Sequence, residues 1–250
     1  MDYESLLTLA KNCRTVRRYQ PEPIPIDILM KALEVARWAP SGDNTQPWEF
    51  FVVRDPDKVQ QVRNILAEGE EQIRERCPRF TFLHTQLKEM STFILVCADP
   101  RFKMAYPRSP ESDELADMYE ENSERILLES VSIAVTYLRL AITSLGFGSV
   151  WISGAAERIT SEKLKEALDI PQDLRIFCCI PVGYPAKVPQ NPLITSGRRP
   201  RPLENVAHVD KFDTSKWRSD EDVAKHTSKD RSFHAQFYKT GLTYDTSIQE

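Results

Sequence analysis

Strands separated by helices around one long apolar helix, of α/β or α+β organisation, are what this sequence of 250 residues predicts. Three observations predict it. Apolar runs of strand length occur at 48–54, 93–98 and 176–182, each followed by Asp, Gly or Pro. Between them, apolar residues recur at three- and four-residue spacing. One such pattern, Glu120 to Leu145, continues for about seven turns, with a stripe broad enough for burial on more than one side.

The elements follow in order. Leu6, Leu7 and Ala10 give Tyr3 to Asn12 a helical face, and Pro21, Pro23 and Pro25 then force an extended connection. A second helix starts near Ile26, with Asp27 in its first turn, and stops at Ala39-Pro40. Residues 40–47 form a loop, Trp48 to Arg54 a strand, and Asp55-Pro56-Asp57 opens a third helix. Phe93 to Ala98 is a buried strand, and residues 101–118 an irregular surface excursion. Ile126, Leu127, Val131, Ala134, Val135, Leu138 and Ile142 form the stripe of the long helix, which Gly146 and Gly148 end. Val150 to Ile152 is a short strand, Ser161 caps a further helix, and Ile176 to Val182 is a central strand. A polar tail follows. The predicted organisation is one domain over residues 1–207 with a C-terminal extension over 208–250.

Composition excludes several classes. Lys plus Arg number 33 against 37 Asp plus Glu, a net charge of −4, whereas a nucleic-acid binder usually carries a basic surplus. The longest unbroken apolar run, Phe93 to Ala98, is too short to cross a bilayer, and the first residues lack the pattern of a secretory signal. The expectation is a cytoplasmic protein, with neither membrane nor nucleic acid as partner. Five cysteines and four histidines show no ligand spacing, so no metal site is expected. Motifs for serine hydrolases, zinc peptidases and phosphate-binding loops are absent.

Four constellations carry chemistry. Arg14, Thr15 and Arg17 can converge on one phosphate, guanidinium forks flanking a hydroxyl, or can stand apart in solvent. Loop 40–47 offers Ser41, Asn44, Thr45 and Gln46 between two prolines, which suits a polar heteroaromatic edge; it equally serves as a helix-to-strand connection. Gly146-Phe147-Gly148-Ser149 begins like a dinucleotide fingerprint but follows a helix and has Trp151 in place of the last glycine, so it lets backbone 149–154 approach something flat instead. Arg198-Arg199-Pro200-Arg201 is a second anion contact or a solvated turn. The acidic face from Glu111 to Glu124 reads as solvated.

The order of these elements decides the matter. Arg-Thr-Val-Arg-Arg-Tyr, then Ala39-Pro40-Ser41-Gly42-Asp43-Asn44-Thr45-Gln46-Pro47-Trp48, then Gly146-Phe147-Gly148-Ser149, then Pro181-Val182-Gly183-Tyr184-Pro185, closely resembles the nitroreductase family of FMN-dependent oxidoreductases over residues 5–207.

The resemblance implies an α+β, three-layer α-β-α fold with a central mixed, mostly antiparallel sheet, and a homodimer with the long helix and FMN at the subunit interface. It assigns Arg14, Thr15 and Arg17 to the phosphate, ribityl chain and pyrimidine side of FMN, with Arg17 near N1/O2, where a fixed cation stabilises the reduced flavin. Pro40, Ser41 and Asn44 line the isoalloxazine, and Trp151, Ile152, Ser153 and Gly154 run past N5 and O4, with backbone N–H groups as donors. Arg199 and Arg201 close on the phosphate. The 208–250 tail lies beyond the resemblance; with Trp217, Phe233, Phe237, Tyr238 and Tyr244 among charges, it reads as a disordered segment or as an arm over the other subunit. Ser153, where several relatives carry Glu, is the catalytic candidate. The implied activity takes hydride from NADH or NADPH and reduces an organic acceptor, a nitroaromatic or quinone, by a ping-pong route. A hydroxyl at 153 also suits the one-electron chemistry of iodotyrosine-deiodinase-like relatives, so reductive dehalogenation ranks second. A flavin-binding protein without turnover is the alternative outside enzymology.

Overall fold

The computed structural model describes residues 2–76, 89–106, 114–186 and 201–227. The chain divides into two compact units, Met1–Val188 and Pro189–Glu250.

In the first unit, helix α1 (Tyr3–Asn12) starts where the Asp2 carboxylate accepts the Ser5 N–H at 2.8 Å. Helix α2 (Ile26–Ala36) follows Pro25 and buries Leu29, Ala32 and Ala36, one face at helical spacing. Strand β1 (Trp48–Val53), helix α3 (Pro56–Arg76) and strand β2 (Phe93–Ala98) come next. Helix α4 (Glu114–Ser144), strand β3 (Gly148–Ser149), helix α5 (Arg158–Ala167) and strand β4 (Arg175–Gly183) complete the unit.

The sheet runs β1-β2-β4-β3 with every pair antiparallel. An isolated parallel bridge, Thr15 to Ser149, makes it mixed at the β3 edge. β2 is buried along its whole length, which is why it reads as an uninterrupted apolar run rather than an alternating one. Ile94, Val96 and Ala98 face a core built with α2 and α4; Phe93, Leu95 and Cys97 face a second core with α3 and α5. Helices therefore cover both sheet faces, and the fold is the three-layer α-β-α arrangement. The register slips between Val96 and Cys97, so that Phe177 and Cys178 of β4 turn toward the same core.

Four sequence expectations change. α4 begins at Glu114, not Glu120, because Leu115 and Met118 extend the helical pattern into the acidic stretch. The short strand is Gly148–Ser149; beyond it the Val150 N–H reaches the Pro181 carbonyl and Ile152 bridges to β4 through Cys179. Ser161 does not cap α5: it lies inside the helix and donates to the Arg158 carbonyl, while Glu157 takes the cap position without a side-chain hydrogen bond. The acidic face is only partly solvated, since Glu120 and Glu124 pair with the buried Lys103 and Glu124 also binds Arg175 at 2.8 Å.

Among the described residues, α4 alone is long and apolar enough to cross a membrane by length and composition. Its inner face, from Leu127 to Ile142, is packed against α2 and the sheet, as a core helix requires. Its outer face leaves Met118, Leu128 and Ile133 exposed.

The second unit, over its described residues, has short 3-10 turns at Leu203–Asn205 and Thr214–Lys216 and a helix α6 (Asp220–Thr227). His208 stacks on Phe212 at 4.4 Å, and Phe212 meets Trp217 edge-on at 6.0 Å. The aromatics Phe233, Phe237, Tyr238 and Tyr244 of the predicted arm lie outside the described residues.

Candidate functional site

Arg14 to Tyr19 lies along the β3–β4 edge as an added strip of backbone. The Val16 N–H donates to the Ser149 carbonyl at 2.9 Å, Gln20 N–H to Tyr184 at 2.8 Å, and Ala186 N–H to Arg18 at 3.0 Å. Two glycines make the approach possible. A Cβ on Gly148 would lie 2.7 Å from Val16 Cβ, and one on Gly183 would lie 2.6 Å from Tyr19 Cδ1. The glycines of the Gly-x-Gly and Gly-Tyr-Pro motifs thus seat the arginine segment flush against the sheet. Tyr19 is the bolt: it is buried, its hydroxyl donates to the Val16 carbonyl at 2.5 Å, and burial pushes its phenol well above the usual range, against the opposing fields of Arg139 and Arg17.

The strip leaves cations uncompensated. Arg14 Nε donates to the Lys11 carbonyl at 2.8 Å, and Arg17 stands exposed. Among the described residues, neither pairs with a carboxylate. Thr15 is half-buried and bridges Ser149. Donors without a carboxylate partner thus gather along one sheet edge.

Loop 40–47 is built differently. Asp43, Asn44 and Gln46 hold φ of 51°, 52° and 52°, the left-handed region that costs L-residues energy. Side chains hold it there. Ser41 Oγ accepts the Gln46 N–H at 2.9 Å; Ser130 Oγ of α4 accepts the Gly42 N–H at 3.1 Å; Thr45 Oγ1 and Tyr106 Oη lie 2.9 Å apart. Gly42 presses on α4 so closely that a Cβ would run into Ile126 Cγ2. The strain is concentrated in one loop and over-determined by its surroundings. Pro40 and Asn44 are exposed, and Ser41 is half-buried.

Residues 151–154 form a third element. Trp151 packs edge-on against Phe177 at 5.6 Å. Ile152 is buried, and both its N–H and its carbonyl are engaged by Cys179, at 2.9 and 3.0 Å. Ile152 therefore offers a ligand no backbone donor. Ser153 is exposed and opens a 3-10 turn with Gly154, and the first N–H groups of such a turn have no partner within it. The space above Gly154 is open apart from Glu157 Oε1 at 3.8 Å. Burial raises the Glu157 carboxyl above its ordinary value.

The structure thus brings Arg14, Thr15 and Arg17 to one sheet edge, sets Pro40, Ser41 and Asn44 on a separate support, and places Trp151 to Gly154 just beyond β3. No hydrogen bond among the described residues joins the three groups. Arg201 is exposed in the second unit and donates to the Asn205 carbonyl; Arg199 lies outside the described residues. Sequence reading missed Tyr19, Tyr106, Ser130, Arg139 and Glu157. The buried hydroxyls had no motif to announce them, and Arg139 interrupts the apolar stripe of α4, a signal that was visible. Among the described residues, no cluster of His, Cys, Asp or Glu suits a metal ion.

The three-layer fold, with an arginine-bearing strip on its sheet edge, agrees with the flavin oxidoreductases of the nitroreductase type. The nitroreductase-family profile matches residues 10–184, and the chain belongs to that family. An iodotyrosine deiodinase of Thermotoga neapolitana is 34% identical over 193 residues, covering 76% of this chain and 95% of its own. A protein named NADH dehydrogenase from Thermus thermophilus is 29% identical over 188 residues, covering 72% and 86%. A crystal structure of oxidised iodotyrosine deiodinase bound to FMN and 3-iodo-L-tyrosine superposes with a TM-score of 0.61 at 29% identity, covering 83% of this chain and all of that one. An FMN-dependent nitroreductase of Clostridium difficile, 23% identical, shares the fold with a TM-score of 0.59 over 82% of this chain and 99% of its own.

Proposed function

We propose that this protein is an FMN-dependent oxidoreductase that uses NADH or NADPH to reduce a small organic acceptor, a nitroaromatic or a quinone. The observation that carries the reading is the arginine strip seated on Gly148 and Gly183, whose guanidinium groups meet no carboxylate among the described residues. That donor set fits a phosphomonoester and an electron-rich ring edge. FMN, when bound, supplies the redox chemistry, accepting hydride and passing electrons on.

The residues' own tasks are binding and tuning. Arg14 and Thr15 hold the phosphate and ribityl chain; Arg17 sets positive charge where the reduced ring is anionic. The N–H groups of Ser153 and Gly154 and the Ser153 hydroxyl donate along the opposite ring edge, and Gly154 leaves room for a planar group. Pro40, Ser41 and Asn44 come from the other copy of a homodimer. In favour of two copies are the separate supports of the strip and the loop, and the exposed apolar face of α4, where a shallow groove runs past Glu121, Arg125, Leu128 and Ile133. Free thiols at Cys13, Cys97, Cys178 and Cys179 suit a reducing compartment, and the reading places the enzyme in the cytoplasm.

A second reading, reductive dehalogenation of an iodotyrosine-like phenol, is favoured by the 34% identity to the Thermotoga enzyme and by Ser153. The test is a purified, yellow dimer that oxidises NAD(P)H when given a nitroaromatic or quinone. Iodide release from 3-iodotyrosine under dithionite, without nicotinamide turnover, selects the second reading; bound flavin with neither activity leaves a binding protein. Arg14→Ala combined with Arg17→Ala is expected to lose FMN on gel filtration, and full retention rejects the phosphate assignment.

A further inference from the structure

Arg139 lies on α4, two and a half turns beyond Ser130, in a stripe otherwise given to Val135, Leu138 and Ile142. Its side chain is half-buried, and its Nε donates to Ser149 Oγ at 3.3 Å. Ser149 is itself buried and is the residue that bridges Thr15 and accepts the Val16 N–H. Arg139 also acts through space on the Tyr19 phenol and the Cys178 thiol. It therefore stands under the β3 edge, directly behind the strip that carries Arg14 and Arg17.

Its charge has no counterpart. Among the described residues, no carboxylate pairs with Arg139, and Ser149 Oγ is its one hydrogen-bond acceptor. A guanidinium carries five N–H donors, so four remain for something else. Those nitrogens are not sealed in the core: among the described residues, the buried unpartnered side-chain atoms are Arg54 Nε, Arg63 Nε and Thr92 Oγ1. Partial burial of a cation without an anion is unfavourable, and a leucine would suit the stripe better if packing were the residue's purpose. A bound anion offsets the lost hydration.

We propose that Arg139 is a further phosphate-binding residue, which reaches past Ser149 and, with Arg14 and Thr15, grips the phosphomonoester of FMN from beneath the strip. The inference rests on the FMN reading above and deepens it. In this arrangement the phosphate is held from two sides, by the edge segment and by the core helix. Lysine can replace the charge but not the fork that engages Ser149 and a phosphate oxygen together.

The experiment titrates the full-length apoprotein with FMN and with riboflavin, following flavin fluorescence. In Arg139→Met the FMN dissociation constant is expected to rise roughly tenfold to a hundredfold, while that for riboflavin, which lacks the phosphate, changes less than about threefold. Arg139→Lys is expected to fall between wild type and Met for FMN and to match wild type for riboflavin. A loss of the same factor for both flavins, or for neither, overturns the assignment and leaves Arg139 a packing residue. Should the Met variant fail to fold, Arg139→Lys alone decides by the same FMN-to-riboflavin ratio. A wild type that takes up neither flavin sinks the FMN reading itself; a wild type that binds FMN beside an unselective variant sinks only the role of Arg139.

Discussion

The strip from Arg14 to Tyr19 and the loop from Pro40 to Pro47 are fixed by opposite means. The strip uses ordinary extended backbone, hydrogen-bonded to Ser149 and Tyr184, and depends on what its neighbours lack, the side chains of Gly148 and Gly183. The loop uses strained backbone at Asp43, Asn44 and Gln46 and depends on hydroxyls that hold it, its own Ser41 and those its neighbours Ser130 and Tyr106 supply. A site segment can be made rigid by subtraction or by addition. The first kind of support is brittle to enlargement, the second to the loss of single hydrogen bonds.

The difference can be broken at its strongest point with Gly183→Ala. The new methyl would lie 2.6 Å from the ring of the buried Tyr19, so the strip must lift, with a loss of about 2–3 kcal/mol in urea unfolding and weaker FMN binding. A variant as stable as wild type would show that the strip is not seated on that glycine. Next in size is Gln46→Val, which puts a β-branched side chain at φ 52° on an exposed site and removes the long Gln46 Nε2 hydrogen bonds to Asn44; about 1–2 kcal/mol is expected to be lost, chiefly to strain. Gln46→Gly at the same place is expected to stay within about 0.5 kcal/mol of wild type, because relief of strain is offset by the freer unfolded chain.

Tyr106→Phe removes one of the two partners of the Thr45 hydroxyl, which also donates to the Gly42 carbonyl, while keeping the ring. A loss of about 1 kcal/mol is expected, with faster proteolytic cleavage within 40–47 as the local readout. No change in either measure would release the loop from Tyr106.

The smallest effect is on pH. Asp99 receives the Arg101 guanidinium and the Arg101 N–H, which hold its carboxyl below the usual range, and its own N–H ties to the Pro47 carbonyl at the end of the loop. A carboxyl lowered in the fold contributes stability that is present above the unfolded value near 3.9 and is lost as pH falls through the lower folded value. The melting temperature of wild type should therefore drop below about pH 4 more steeply than that of Asp99→Asn. Because Arg101 is mostly exposed, the difference is small.

Much of this was legible in the sequence. Strand β2 and helices α1 and α2 stand where their periodicity places them, because each is bounded by proline or a capping side chain. The family was legible too, since its motifs are backbone requirements: the glycines at 148 and 183 must be glycine for the strip to dock. What stayed hidden depends on tertiary proximity. Nothing local told that Ser130 and Tyr106 reach back 88 and 61 residues to Gly42 and Thr45, or that Ile152 spends its N–H on Cys179. The start of α4 was misjudged because an acidic, proline-flanked stretch reads as loop until its helical face finds Lys103.

One rod, α4, carries Ser130 under the loop and Arg139 under the strip. Nine residues set the two about 13.5 Å apart along its axis, and each residue turns the helix by about 100°. Inserting or deleting a single residue between them would swing one anchor by more than a quarter turn about the rod while leaving the other in place. The count between these positions is therefore a ruler for the whole molecule, and its graduations cannot be rewritten one at a time.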